Sequence, residues 1–191
     1  MFRFDEITHT YWLGERRLPS PTGLIKAAGL YQYEDTPQQI WYRDRGSAVH
    51  KACELFDKND LDESTLDPEI VPYLEQYKAF LKVSGAQVLR NEEPAYHPTL
   101  MYAGTIDRIY LMNGRPVVVD IKTGTPEPWH GIQLAAYKLI AESLECGTQA
   151  MKCYGLYLGK GEYRLIEYKT REHLPSWMAL LTLHAWKENH K

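Results

Sequence analysis

Between Gly104 and Tyr137 the chain sets two aspartates, a lysine, a glutamine and a tyrosine among residues that otherwise suit a core: Asp107, Asp120, Lys122, Gln133 and Tyr137. The run Arg115-Pro-Val-Val-Val-Asp-Ile-Lys122 is β-branched enough for a buried strand. Strand side chains alternate with period two, so Asp120 and Lys122 project from one face, carboxylate beside ammonium. Upstream, 104–112 reads as a second strand, and Asn113-Gly114 is a two-residue hairpin signal joining the two antiparallel. Asp107 lies six residues before that turn and Asp120 six after it, which makes them cross-strand neighbours in a plain register. Two carboxylates so placed repel strongly unless a cation separates them. A divalent metal answers that problem, because Mg²⁺ takes one or two carboxylates together with water and substrate phosphate oxygens.

The surrounding pattern supplies the elements that must hold these groups. Residues 2–18 alternate around Leu13-Gly14-Glu15 as a short hairpin. Ser20 is an N-cap with Pro21 at the first helical position, opening a short helix that stops near Gly29. From Pro37 to Phe56 the apolar positions Ile40, Trp41, Val49, Ala52, Cys53 and Phe56 fall on one helical stripe, and Gly46, His50 and Glu54, four apart, share a face. An acidic loop, 57–67, leads to Asp67-Pro68 as the cap of a helix running to about Val83 and ended by Gly85. Strands are expected at 86–97, 101–112 and 116–122, then a helix over Pro128–Leu144, strands near 151–158 and 162–168, and a last helix from Leu174 to Glu188. Gln133 and Tyr137, four apart, lie on one face of the helix after the lysine.

Gly104-x-x-Asp107, Asp120-Ile-Lys122-Thr-Gly124 and Gln133-x-x-x-Tyr137 together resemble the signature of the PD-(D/E)XK nuclease superfamily, in particular its RecB-type exonuclease branch. Ile106-Asp107 stands where the family has Pro-Asp. Gly46-Ser-Ala-Val-His50 is similar to the Gly-x-x-x-His element of that branch, and Tyr11–Leu24 resembles the opening of phage-borne members. The resemblance implies an α/β (α+β) restriction-endonuclease-like core, a central mixed sheet flanked by helices in the order αβββαβ, with the hairpin and the last helix added at either end. It implies Mg²⁺ or Mn²⁺ held by Asp107, Asp120, the Ile121 carbonyl and His50, with Lys122 orienting or deprotonating the attacking water, and a phosphodiester as substrate. Gln133 and Tyr137 would then shape the site and touch phosphate or the lysine. A glutamate at the end of the preceding strand often supplies a further carboxylate in such nucleases; of Glu92 and Glu93, Pro94 favours Glu93. Glu54 is placed to fix the His50 tautomer, or else to pair with Lys51 or Lys58. Trp129, which opens its helix, is either core or a base-stacking platform.

Length and composition fit one nuclease domain over 1–191. The N-terminus lacks the blocks of a signal peptide and no apolar run nears a membrane span, so the expected place is the cytosol of a bacterial host, without membrane attachment. Cys53, Cys146 and Cys153 fit free thiols and are too few for the four-cysteine iron–sulfur cluster of some RecB-type relatives. No Gly-rich phosphate loop is present, so no ATP dependence is expected. A net charge of −3 is low for a DNA-binding protein, although 152–191 carries seven lysines and arginines against four glutamates. The phage-like features favour an exonuclease acting on single-stranded DNA or duplex ends in recombination or repair, with a single-strand annealing protein as partner. A structure-specific endonuclease and a noncatalytic DNA-binding module with the same fold are the alternatives.

Overall fold

A computed structural model describes residues 1–32, 34, 36–144 and 151–190. It opens with three short antiparallel strands in sequential order, β1 (Phe2–Asp5), β2 (Thr10–Leu13) and β3 (Arg16–Leu18), one strand more than the expected hairpin. The extra strand exists because Gly14, at φ +61°, closes a two-residue turn that brings Arg16 opposite Leu13. This small sheet is anchored to the rest through Tyr11 and Leu18, which pack on Ala103, and through a 2.9 Å hydrogen bond between the Tyr11 and Thr105 hydroxyls.

The main sheet has five strands, β4 (Gln87–His97), β5 (Tyr102–Met112), β6 (Arg115–Lys122), β7 (Lys152–Leu158) and β8 (Tyr163–Tyr168), side by side in that order. All neighbours are antiparallel except β6 and β7, whose parallel pairing needs the crossover that α4 (Pro128–Leu144) makes. Asn113 and Gly114, at φ 51° and 72°, form the expected tight turn, with Met112 opposite Arg115. Helices cover both faces. The valines of β6 divide accordingly: Val118 joins the core under α1 (Pro21–Ala27), α4 and α5 (Thr170–Glu188), while Val117, Val119 and Ile121 face α2 (Pro37–Asp57) and α3 (Val71–Ser84). Asp120 and Lys122 thereby leave β6 on the α4 side. From α3 through β7 the order is αβββαβ within one mixed sheet, as the resemblance implies.

Three boundaries differ from expectation. Asp67 does cap a turn, accepting from the Glu69 amide at 2.8 Å, but α3 itself starts at Val71, with Pro72 in its first turn. The last helix begins a turn early, at Thr170, with Pro175 inside it rather than at its start. Asp57, read as the first loop residue, is the last residue of α2, and its side chain is almost fully buried. Cys53 and Cys153 are buried thiols whose pKa burial raises, that of Cys153 to about 11; Cys146 lies outside the described residues. Among the described residues no helix is long and apolar enough to cross a membrane.

Candidate active site

The β5–β6 hairpin fixes the site's centre. Its ladder is paired from Met112–Arg115 down to Arg108–Val119. Asp107 and Asp120 come next, and there the Asp107 carboxylate takes over from the backbone, accepting the Ile121 amide at 2.7 Å. Both aspartates are buried, and both line one cleft of about 440 Å³ together with Gly46, His50, Glu54, Glu92, Lys122, Gln133 and Tyr137.

On the α4 side of the cleft, Lys122 Nζ lies 2.5 Å from Asp120 Oδ2 and donates to Gln133 Oε1 at 3.0 Å. Asp120 Oδ2 is buried, and the Lys122 ammonium is the charge that faces it. Gln133 is used at both ends: its Nε2 donates to the Tyr137 hydroxyl at 3.1 Å and to Thr22 Oγ1 of α1 at 3.2 Å. With its amide so oriented, Gln133 can only accept from the lysine. Both Gln133 and Tyr137 are largely buried yet line the cleft, and through Gln133 the pair braces Lys122. Gly104 serves this arrangement, because a Cβ there would sit 2.7 Å from the Tyr137 ring. Gly104→Ala is expected to destabilise the fold by about 1–3 kcal/mol through overpacking and to loosen the Tyr137–Gln133–Lys122 chain; a urea unfolding midpoint equal to that of wild type contradicts this.

On the α2 side, His50 Nε2 lies 2.8 Å from the Ile121 carbonyl. A carbonyl only accepts, so Nε2 carries the proton and Nδ1 is directed at Glu92 Oε1 (3.4 Å) and Asp107 Oδ2 (3.5 Å). One ligand atom from each of His50, Glu92 and Asp107 falls within 4.8 Å of the others, the spacing of a metal centre. Here one expectation is corrected and one alternative is selected. The carboxylate of the cluster is Glu92, not Glu93: pairing of Asn91 with Arg108 and of Glu93 with Ile106 leaves Glu92 opposite Asp107, while Glu93 turns away to Arg90 at 2.6 Å. Glu54 does not orient His50 but accepts from Lys51 (2.8 Å) and Lys58 (2.5 Å), its neighbours on the same helix surface. The Ile121 carbonyl, expected at the metal, is bonded to His50. Trp129 packs against Tyr31, ring centres 4.7 Å apart, with Lys122 Nζ 5.7 Å from its own ring centre.

Glu92 depends on a residue that the sequence reading passed over. Arg108 is fully buried, and its guanidinium donates to Asp57 (2.7 Å), to Glu92 (3.1 Å) and to the Asp107 carbonyl (2.6 Å). Asp57 also accepts from Tyr77, whose hydroxyl lies 2.6 Å from that of Tyr110. The signal available was an arginine inside an apolar strand, between Ile106 and Ile109-Tyr110, where a charge requires a buried partner.

The electrostatics suit a cation. Burial raises Asp107 against the pull of His50, and raises Asp120 to about 6 against that of Lys122. Burial lowers the His50 pKa, but the Asp107 and Glu92 carboxylates outweigh it and lift it to about 9. Three carboxylates and an imidazole nitrogen aimed between two acids are a hard-cation donor set, so the residues present fit Mg²⁺ or Mn²⁺. A metal that takes His50 Nδ1 as a ligand would displace its proton at neutral pH. Apparent affinity for Mn²⁺ is expected to rise about tenfold per pH unit from 7 towards 9 and then level off. Calorimetry in buffers of different ionisation enthalpy should read close to one proton released per ion at pH 7. No release would mean that His50 stays outside the metal's shell.

A mixed sheet flanked by helices, with an Asp-x-Lys strand facing a second aspartate, has the architecture of a PD-(D/E)XK nuclease-like fold. The model of the PD-(D/E)XK nuclease superfamily matches residues 73–158, the stretch from α3 through β7. A crystal structure of a "Putative exonuclease" from Eubacterium rectale superposes with a TM-score of 0.51 at 12% identity, covering 90% of this chain and 73% of the other, which supports the fold. The crystal structure of SSO0001 gives a TM-score of 0.35 at 16% identity over 85% of this chain and 84% of the other. No curated protein matches the sequence.

Proposed function

We propose that the chain acts as one domain, a Mg²⁺- or Mn²⁺-dependent deoxyribonuclease working as an exonuclease. The observation that supports this best is the meeting, in one cleft, of the His50–Glu92–Asp107 cluster with the Asp120–Lys122 pair. When bound, the metal supplies a Lewis acid that offsets phosphate charge and acidifies water. Asp107 and Glu92 bring negative charge to the cleft from adjacent strands, and His50 adds a neutral ligand whose Nε2–H donates to the Ile121 carbonyl. Lys122, held by Gln133 and Asp120, presents its ammonium to the scissile phosphate, where it orients the attacking water and offsets developing charge. No side chain forms a covalent bond to substrate in this scheme.

The RecB-type motifs and phage-like opening favour a role in phage recombination or DNA repair, in the cytosol of a bacterial host and beside a single-strand annealing protein. Wild-type protein incubated with end-labelled linear DNA, single- and double-stranded, should release nucleotides in Mg²⁺ or Mn²⁺ and none in chelator. Cutting of closed circles would make the enzyme an endonuclease instead. No cleavage of any form would leave a DNA-binding module.

A further inference from the structure

Beside the acid-lined cleft, and continuous with it through Arg43, Gly46, His50 and Lys122, runs a groove of about 600 Å³. Its charge balance differs from the cleft's. In the cleft Glu54, Glu92, Asp107 and Asp120 stand against Arg43, His50, Lys51 and Lys122, whereas the described residues lining the groove include no carboxylate to offset Arg43, Arg45, His50 and Lys122. In a chain of net charge −3 this segregation places positive potential where a polyanion would leave the metal. The walls are aromatic: Tyr31 and Trp129, half-buried against the core with ring centres 4.7 Å apart and one side lining the groove, and the more exposed Tyr42.

These rings are not all spent on the core. Tyr42 is 45% exposed and the adjacent Trp41 43%. Arg45 stiffens the platform from the side, its guanidinium carbon 4.8 Å from the Trp41 ring centre and 5.1 Å from that of Tyr42, while its Nη2 donates to the Thr123 carbonyl beyond Lys122 at 3.1 Å. Exposed rings beside cations, opening into a site for phosphodiesters, match one ligand chemistry. A duplex keeps its base faces stacked on one another, whereas an unpaired strand offers every face to an aromatic side chain.

We infer that this groove holds the unpaired nucleotides of a strand next to the phosphodiester over Lys122, with Tyr42 and Trp129 stacking on bases and Arg45 holding the Tyr42 platform. The inference rests on the nuclease reading of the cleft and narrows its substrate class to a single strand, free or frayed from a duplex end.

The test is equilibrium binding by the full chain carrying Asp120→Asn, in Mg²⁺, read by fluorescence anisotropy with short labelled oligo(dT), oligo(U) and a blunt duplex of equal length. Oligo(dT) should bind at least about tenfold more tightly than duplex. Tyr42→Ala and Trp129→Ala should each weaken it about tenfold, one stacked base being worth roughly that much, with duplex affinity unmoved and with Tyr42→Phe and Trp129→Phe restoring most of the loss. Equal binding of oligo(U) supports the same inference, since stacking does not read the sugar. Tighter binding of duplex, or wild-type affinity for oligo(dT) in Tyr42→Ala, a 45% exposed position, overturns it. Such a failure leaves the nuclease reading intact, because that reading stands or falls on cleavage by the wild-type chain.

Discussion

Lys122→Met slows DNA cleavage about 10³-fold, and Asp120→Asn by at least as much, while the double variant is no slower than the worse of the two. The magnitude is that of removing a positioned proton-transfer or charge-stabilising group from a water-poor site. Non-additivity follows from geometry: 2.5 Å apart and both inside the cleft, the two side chains act as one unit, so losing either already disables the other. Stability should show the opposite pattern. Either single change leaves a buried, uncompensated charge and costs a few kcal/mol, of order 3–5 where no other partner helps, whereas removing both restores much of the loss. The double variant should therefore melt above either single one. A double variant that melts below both would mean that the pair is a net stabiliser of the fold. Single-variant rates within tenfold of wild type would remove Lys122 and Asp120 from the chemistry.

Arg108→Ala unfolds the protein or destabilises it by about 3–5 kcal/mol, the cost of breaking a buried ion pair by removing one partner. The guanidinium is fully buried, and Asp57 has a side chain almost as enclosed. Without it, Asp57 keeps only neutral donors, Tyr77 and Asn91. Arg108→Lys should fail nearly as badly, because a single ammonium cannot reach Asp57, Glu92 and the Asp107 carbonyl at once as the planar fork does. Any Arg108 variant that still folds should bind Mn²⁺ more weakly, since Glu92 loses its anchor. Urea unfolding with a loss below 1 kcal/mol would refute the claim.

Much of the site was legible because its signals are local. Asn113-Gly114 sets the turn, equal spacing on either side puts Asp107 opposite Asp120, and period two and period four put Lys122 beside Asp120 and Gln133 beside Tyr137. The same locality explains the errors. Pro94 tips the choice towards Glu93, and only the pairing of β4 with β5 shows that Glu92 is the one facing Asp107. Glu54 shares a helix face with His50, but the lysines three residues before and four after it reach it first.

By itself, then, the sequence determined the strands, the hairpin and the helix that carry the acids, the lysine and its glutamine, because hydrophobic period and turn chemistry act over a few residues. Only the tertiary structure decided that Thr22 steadies Gln133 across 111 positions, that Asp57 neutralises Arg108 across 51, and that α2 brings His50 to the end of β6 across 71. Those contacts answer the need of buried polar groups for partners, and any of several distant residues could have met it until the packing of helices on the sheet chose one.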